Sequence, residues 1–129
     1  MPQHLAGEDL VKAIVLFAHG ARNPDWARPI EAIAAAMRAR APQTPVTPAY
    51  LEFLSPSLPQ AIAEMASAGC QEIAIVPMFM ANSGHTQRDL PGLLETARQE
   101  RPWLVLTLAA PIGEAETVVE AIAAYALSA

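Results

Sequence analysis

The stretch Ala13-Ile14-Val15-Leu16-Phe17-Ala18, running into His19-Gly20-Ala21-Arg22-Asn23-Pro24, decides the fold. Six apolar residues with no charge among them make the short continuous run of a strand buried on both faces. The polar turn that follows stops the strand. Trp26, Ile30, Ile33 and Met37 then recur at helical spacing. Asp25 opens this helix and Arg38 and Arg40 close it, the charge order that the helix dipole favours.

Outward from this first β-α unit, the pattern repeats. Residues 46–53 read as a second strand, and Pro48 within it requires an edge position. Ser55-Pro56 reads as a helix cap followed by proline at the first helical position. Leu58, Ile62 and Met65 then form a stripe that stops near Gly69. Residues 72–80 are the third strand, with Pro77 ending its regular bonding. Asn82-Ser83-Gly84-His85 is a loop, and Thr86 with Asp89 three residues on resembles a capping box. Leu90, Leu93, Leu94 and Ala97 make the third stripe, closed by Pro102. Residues 103–110 are the fourth strand, and the last helix carries Val118, Val119, Ile122 and Tyr125 on one face.

The order βαβαβαβα belongs to the α/β class: a flavodoxin-like, four-stranded parallel sheet with helices on both faces. Right-handed crossovers and the edge strand holding Pro48 select the strand order 2-1-3-4. The 129 residues read as a single domain over 1–129, with residues 1–10 as a frayed extension.

Composition narrows the function. Hydrophobic residues are 53% of the chain and charged residues 16%, which excludes disorder for its bulk. Eight basic residues against 13 acidic ones give a net charge of −5 with no basic run. That balance argues against nucleic acid and anionic membrane as partners. The longest apolar runs, residues 13–18 and 73–81, fall short of the roughly 18 residues of a spanning helix. The N-terminus lacks the basic and apolar regions of a signal peptide. The lone Cys70 rules out an internal disulfide and any Cys-x-x-Cys motif, and a reducing cytoplasm fits. No glycine-rich dinucleotide or phosphate loop occurs, so no organic cofactor is expected.

In open parallel sheets, ligands bind beyond the carboxyl ends of the strands, where the strand order reverses. His19 follows the first strand, Glu52 ends the second and His85 follows the third. Two imidazoles and a carboxylate on one rim suit a divalent first-row metal and are too few to close a structural site. The same groups also serve as proton acceptors. A single loop histidine such as His4 is an ordinary solvated residue; the pairing of His19 and His85 across the switch point gives these two their weight.

At these residues the chain resembles the CbiX/SirB sirohydrochlorin chelatases. His19-Gly20-Ala21-Arg22-Asn23-Pro24 is similar to their His-Gly-Ser-Arg-x-Pro segment. Tyr50-Leu51-Glu52-Phe53 with Pro56 and Leu58 resembles their second segment. Val76-Pro77-Met78-Phe79 with Ser83-Gly84-His85-Thr86, Asp89, Leu90 and Pro91 resembles their third. Ala21 stands in place of the common serine and Ser83 in place of a frequent glycine. The resemblance implies insertion of a divalent metal, Co2+ first and Fe2+ or Ni2+ as alternatives, into sirohydrochlorin. It assigns metal binding to His19 and His85, with Glu52 as third ligand or base, and it implies a homodimer of a short, single-half form. A carrier of the metal or tetrapyrrole without catalysis is the alternative. The substrate's carboxylates and flat ring point to Arg22, Ser83, Gly84, Arg88, Phe79 and Met80 as contacts, with Trp26 as a further apolar wall.

Overall fold

The computed structural model describes residues 11–81 and 84–129, without the side chains of residues 85–87. The frayed extension expected over residues 1–10 lies outside the described residues. Four strands alternate with four helices: β1 (Lys12–Ala18), α1 (Arg28–Arg40), β2 (Val46–Tyr50), α2 (Leu58–Ser67), β3 (Glu72–Pro77), α3 (Gly84–Glu100), β4 (Val105–Leu108) and α4 (Glu116–Leu127). The strands form one parallel sheet in the order β2-β1-β3-β4. Pro48 therefore lies on an edge strand, where its missing N–H costs no ladder bond.

Two cores of unequal size sandwich the sheet. On one face Val15, Phe17, Ile73 and Ile75 pack against Leu58 and Ile62 of α2 and Leu90 and Leu94 of α3. On the other, Leu16 and Val46 pack against Ala34, Ile30 and Met37 of α1. The central strand β1 feeds both cores, so its sequence is continuously apolar rather than alternating.

Local boundaries differ from the sequence expectations for identifiable reasons. β2 ends at Tyr50, three residues short of 53, because the chain bends there toward β1's exit: Leu51 N–H bonds Ala18 C=O (2.9 Å) and Glu52 N–H bonds His19 C=O (3.1 Å). The cap of α2 is Ser57 rather than Ser55. Ser57 accepts from Gln60 N–H while Gln60's side chain reaches back to Ser57 N–H, a reciprocal capping box. Proline follows at Pro59, and Ser55-Pro56 is a cis peptide in the loop before it. Helix α3 begins at Gly84, so Thr86 lies within its first turn rather than capping it. A 3-10 turn, Pro24–Ala27, precedes α1 and leaves Trp26 71% exposed instead of in the helix stripe.

The largest departure concerns α4, which packs substantially only on the 3-10 turn Ile112–Glu114 just before it and buries none of its residues. Val119, Ile122 and Tyr125, placed on one face of this helix by their spacing, are exposed. Val105 of β4, opposite the buried Leu106, is exposed as well. One sheet face is thus covered by α1 alone and the other by α2 and α3. Among the described residues no helix is long and apolar enough to cross a membrane.

Candidate functional site

The carboxyl edge of the sheet gathers the residues marked in the sequence. His19 follows β1 directly and is exposed on the rim. Its ring stacks at 4.3 Å and 38° on Phe79, the second residue after β3, and Phe79 in turn meets Phe17 edge-on at 5.8 Å. Phe79 is only 5% exposed. It stands behind the imidazole rather than at the surface, and braces one face of the exposed His19 ring. Of the two residues expected as an apolar wall, Phe79 is thus buried and its neighbour Met80 is 65% exposed.

Glu52 reaches the same place by backbone contact. Its N–H donates to the His19 carbonyl at 3.1 Å. Gly20, at φ +84°, lies against the Glu52 carbonyl so closely that a Cβ there would overlap it outright. Only glycine combines that conformation with that approach. On the far side of Glu52, Leu54 N–H bonds the Glu52 carbonyl at 2.9 Å, a three-residue turn centred on Phe53 with φ +70°. Arg22 folds back over the Phe53 ring, its guanidinium carbon 4.8 Å from the ring centre. The loop between them is fixed by Asn23, whose side chain accepts from Asp25 N–H at 2.9 Å.

Met80 is braced from the other direction. Gly113 donates its N–H to the Phe79 carbonyl at 3.0 Å and lies flush on the Met80 backbone, where a Cβ would collide. The exit of β4 thus supports the exit of β3. Helix α3 then starts at Gly84, so the His85 backbone belongs to its first turn at the same rim. The side chain of His85, and Ser83 entirely, lie outside the described residues. Among the described residues no three His, Cys, Asp or Glu side chains stand close enough to hold a metal.

Two clefts flank β2's end. One of about 310 Å³ includes His19, Gly20, Trp26, Tyr50 and Met78. Tyr50 there has its hydroxyl buried without a hydrogen-bond partner among the described residues. Burial first, and the Glu31 carboxylate second, push its pKa up and keep it protonated. The other cleft, about 590 Å³, lies between the β2–α2 loop and α3 and includes Arg88, Asp89, Ser57 and Leu93. Arg88, which lines that cleft, bonds the Gly84 carbonyl through Nε at 3.3 Å. The structure therefore brings His19, Glu52 and Arg22 together and sets Arg88 across the β2 end. Sequence reasoning missed Phe53 and Gly113. A β-strand reading of residues 46–53 hid the first, and nothing local marks the second, whose contact is with a residue 33 positions away (113 − 80).

A four-stranded parallel sheet of this order, with polar residues collected on its carboxyl rim, is a flavodoxin-like α/β domain. A solved CbiX protein from Marinobacter aquaeolei VT8 shares the fold with a TM-score of 0.79 at 26% identity, over 91% of this chain and 95% of that one. The sirohydrochlorin chelatase SirB from Bacillus subtilis subspecies spizizenii, solved in complex with cobalt, matches with a TM-score of 0.76 at 24% identity, over 92% of this chain and 51% of its own. The chain belongs to the CbiX family, whose model matches residues 13–128. A sirohydrochlorin cobaltochelatase from Methanococcus maripaludis is 33% identical over 84 residues, 65% of this chain and 58% of that protein. The chain thus spans less than two thirds of the length of that relative.

Proposed function

We propose that this chain is a metallochelatase that inserts a divalent metal into sirohydrochlorin, with Co2+ as first candidate and Fe2+ or Ni2+ as alternatives. The observation that carries the reading is the backbone clamp that holds His19 and Glu52 side by side at the carboxyl edge of the sheet. Membership of the CbiX family and the name of the Methanococcus relative support the substrate.

In this reading His19 and His85 hold the incoming metal, which is a substrate. Imidazole nitrogens suit Co, Fe and Ni alike, and two of them leave open positions for exchange. Insertion forms metal–nitrogen bonds to the macrocycle and breaks two pyrrole N–H bonds. The two protons leave as the metal's two charges arrive, and Glu52 serves as third ligand or as proton acceptor. Arg22, Arg88, Ser83 and Gly84 meet the carboxylates, and Met80 meets the ring. A chain of net charge −5 draws a polycarboxylate only through such local cations.

The same proposal includes a homodimer in the cytoplasm. Val119, Ile122 and Tyr125 form an uncovered stripe on α4, and β4's Val105 is uncovered too. An amphipathic helix and a bare sheet face in one chain complement each other in a second copy. The SirB chelatase, about twice this chain's length, fits two such halves in one polypeptide.

Anaerobic absorbance of sirohydrochlorin with Co2+ tests the activity, with a folded His19→Ala/His85→Ala variant as control. Catalysed insertion over many turnovers by the wild type alone supports chelation. Pigment binding without acceleration overturns it in favour of a carrier. Light scattering of wild type and Ile122→Glu tests the dimer.

A further inference from the structure

The loop contacts around Glu52 set Phe53 in a conformation that its own side chain does not use for packing. It is the sole non-glycine residue with positive φ among those described. The turn it centres, closed by Leu54 N–H to Glu52 C=O, is a rare and strained geometry for an L-residue. Glycine would adopt it without strain. Phe53 is nonetheless 55% exposed, so burial of its side chain does not offset that strain. The strained backbone holds a large aromatic ring out from the rim, one residue from Glu52.

Among the described residues the guanidinium of Arg22 lies over the ring. Arg22 makes no ion pair among the described residues, so its charge is uncommitted. A guanidinium lying on an aromatic face keeps its N–H edges in plane and free for bidentate contact with a carboxylate. The stack also restricts the long arginine side chain before any ligand arrives, which lowers the entropy lost on binding. A flat apolar surface next to a preorganised guanidinium has one matching chemistry: a conjugated ring fringed with carboxylates.

We propose that Phe53 and Arg22 form a substrate-reading pair, in which the ring held out by the Glu52–Leu54 turn contacts the tetrapyrrole plane and orients Arg22 toward one of its carboxylates. The assignment rests on the function proposed above and adds a residue to it. Phe53 touches the macrocycle and not the metal, so it acts on pigment affinity and leaves metal affinity alone.

The test is a titration of metal-free sirohydrochlorin, followed by its absorbance, into wild type, Phe53→Gly, Phe53→Leu, Arg22→Lys and the Phe53→Leu/Arg22→Lys double variant. Calorimetric titration of Co2+ alone and thermal unfolding accompany each. Phe53→Gly relieves the strained φ, so it folds at least as stably as wild type. Its pigment Kd rises about tenfold, the loss of a stacking contact of ordinary strength, with Co2+ affinity unchanged. Arg22→Lys weakens pigment binding in wild type but adds little to Phe53→Leu, because the two residues act through one stack. Wild-type pigment affinity in Phe53→Gly and Phe53→Leu overturns the pair while leaving the chelatase reading intact. Parallel loss of Co2+ and pigment binding also overturns it, since Phe53 would then serve the loop's shape. Absence of pigment binding by the wild type overturns both readings.

Discussion

Replacing Gly20 by alanine strikes the contact that joins the His19 and Glu52 loops. Two effects add. An L-residue at φ +84° carries about 1–2 kcal/mol of steric strain. The new Cβ also overlaps the Glu52 carbonyl, with the Glu52 carbon at 3.1 Å and Tyr50 Cβ at 3.3 Å. Real Cβ atoms do not approach closer than 3.0 Å, so the Glu52 backbone must retreat. Its N–H bond to His19 is then stretched or lost, at about 1 kcal/mol. Overpacking adds about 1–3 kcal/mol. The sum is about 3–6 kcal/mol, a large part of the roughly 5–15 kcal/mol that holds an ordinary domain together. Gly69→Ala is the internal control: its φ is +98°, but nothing lies within 4 Å of a Cβ there, so only the conformational strain applies. Urea unfolding should give Gly69→Ala a loss of about 1–2 kcal/mol and Gly20→Ala at least twice that. Metal insertion should fall in Gly20→Ala even under conditions where the variant is fully folded, because Glu52 moves relative to His19. Equal losses for the two variants, with wild-type turnover in Gly20→Ala, would refute the argument that close approach rather than conformation fixes this glycine.

Three further outcomes follow from the same coordinates. Gly92 lies inside α3 with open space where its Cβ would stand, so Gly92→Ala should raise stability by about 0.5–1 kcal/mol in urea unfolding. Burial pushes the Cys70 thiol pKa up, so the native thiol should resist iodoacetamide at pH 8 and react fully once unfolded. The sign follows: the folded state keeps the proton more tightly, so this contribution is present below the unfolded thiol's pKa and is lost as pH rises from about 8.5. Cys70→Ala should flatten that alkaline decline in unfolding free energy. A chain ending at residue 115 should keep the circular dichroism of the sheet, since α4 buries none of its residues, and should scatter light as a monomer.

The architecture was legible because it rests on coarse physics. A strand buried on both faces must be continuously apolar, as 13–18 is, and Pro48 has no place in a central strand. The rim position of His19 and Glu52 followed from the same reasoning. The fine boundaries were not legible, since they depend on which of two adjacent serines finds a partner. Ser57 wins over Ser55 because Gln60 stands three residues on. Amphipathicity showed that α4 has an apolar face but not what covers it, and the periodicity of a helix carries no address. Phe53 was hidden for a different reason. Its conformation is imposed by the Gly20–Glu52 contact and the bond to His19, both made by residues more than 30 positions earlier.

The central place of β1 has a consequence in time as well as in space. Within this stretch β1 precedes both of its partners: β2 is complete only at Tyr50 and β3 only at Pro77. During synthesis the run Ala13-Ile14-Val15-Leu16-Phe17-Ala18, uncharged and without proline, waits with both edges unpaired. Segments of that composition are the ones that associate into intermolecular sheets. The residues that make the best sheet centre are therefore also the nascent chain's chief aggregation hazard, and the hazard lasts until β3 closes on the second edge.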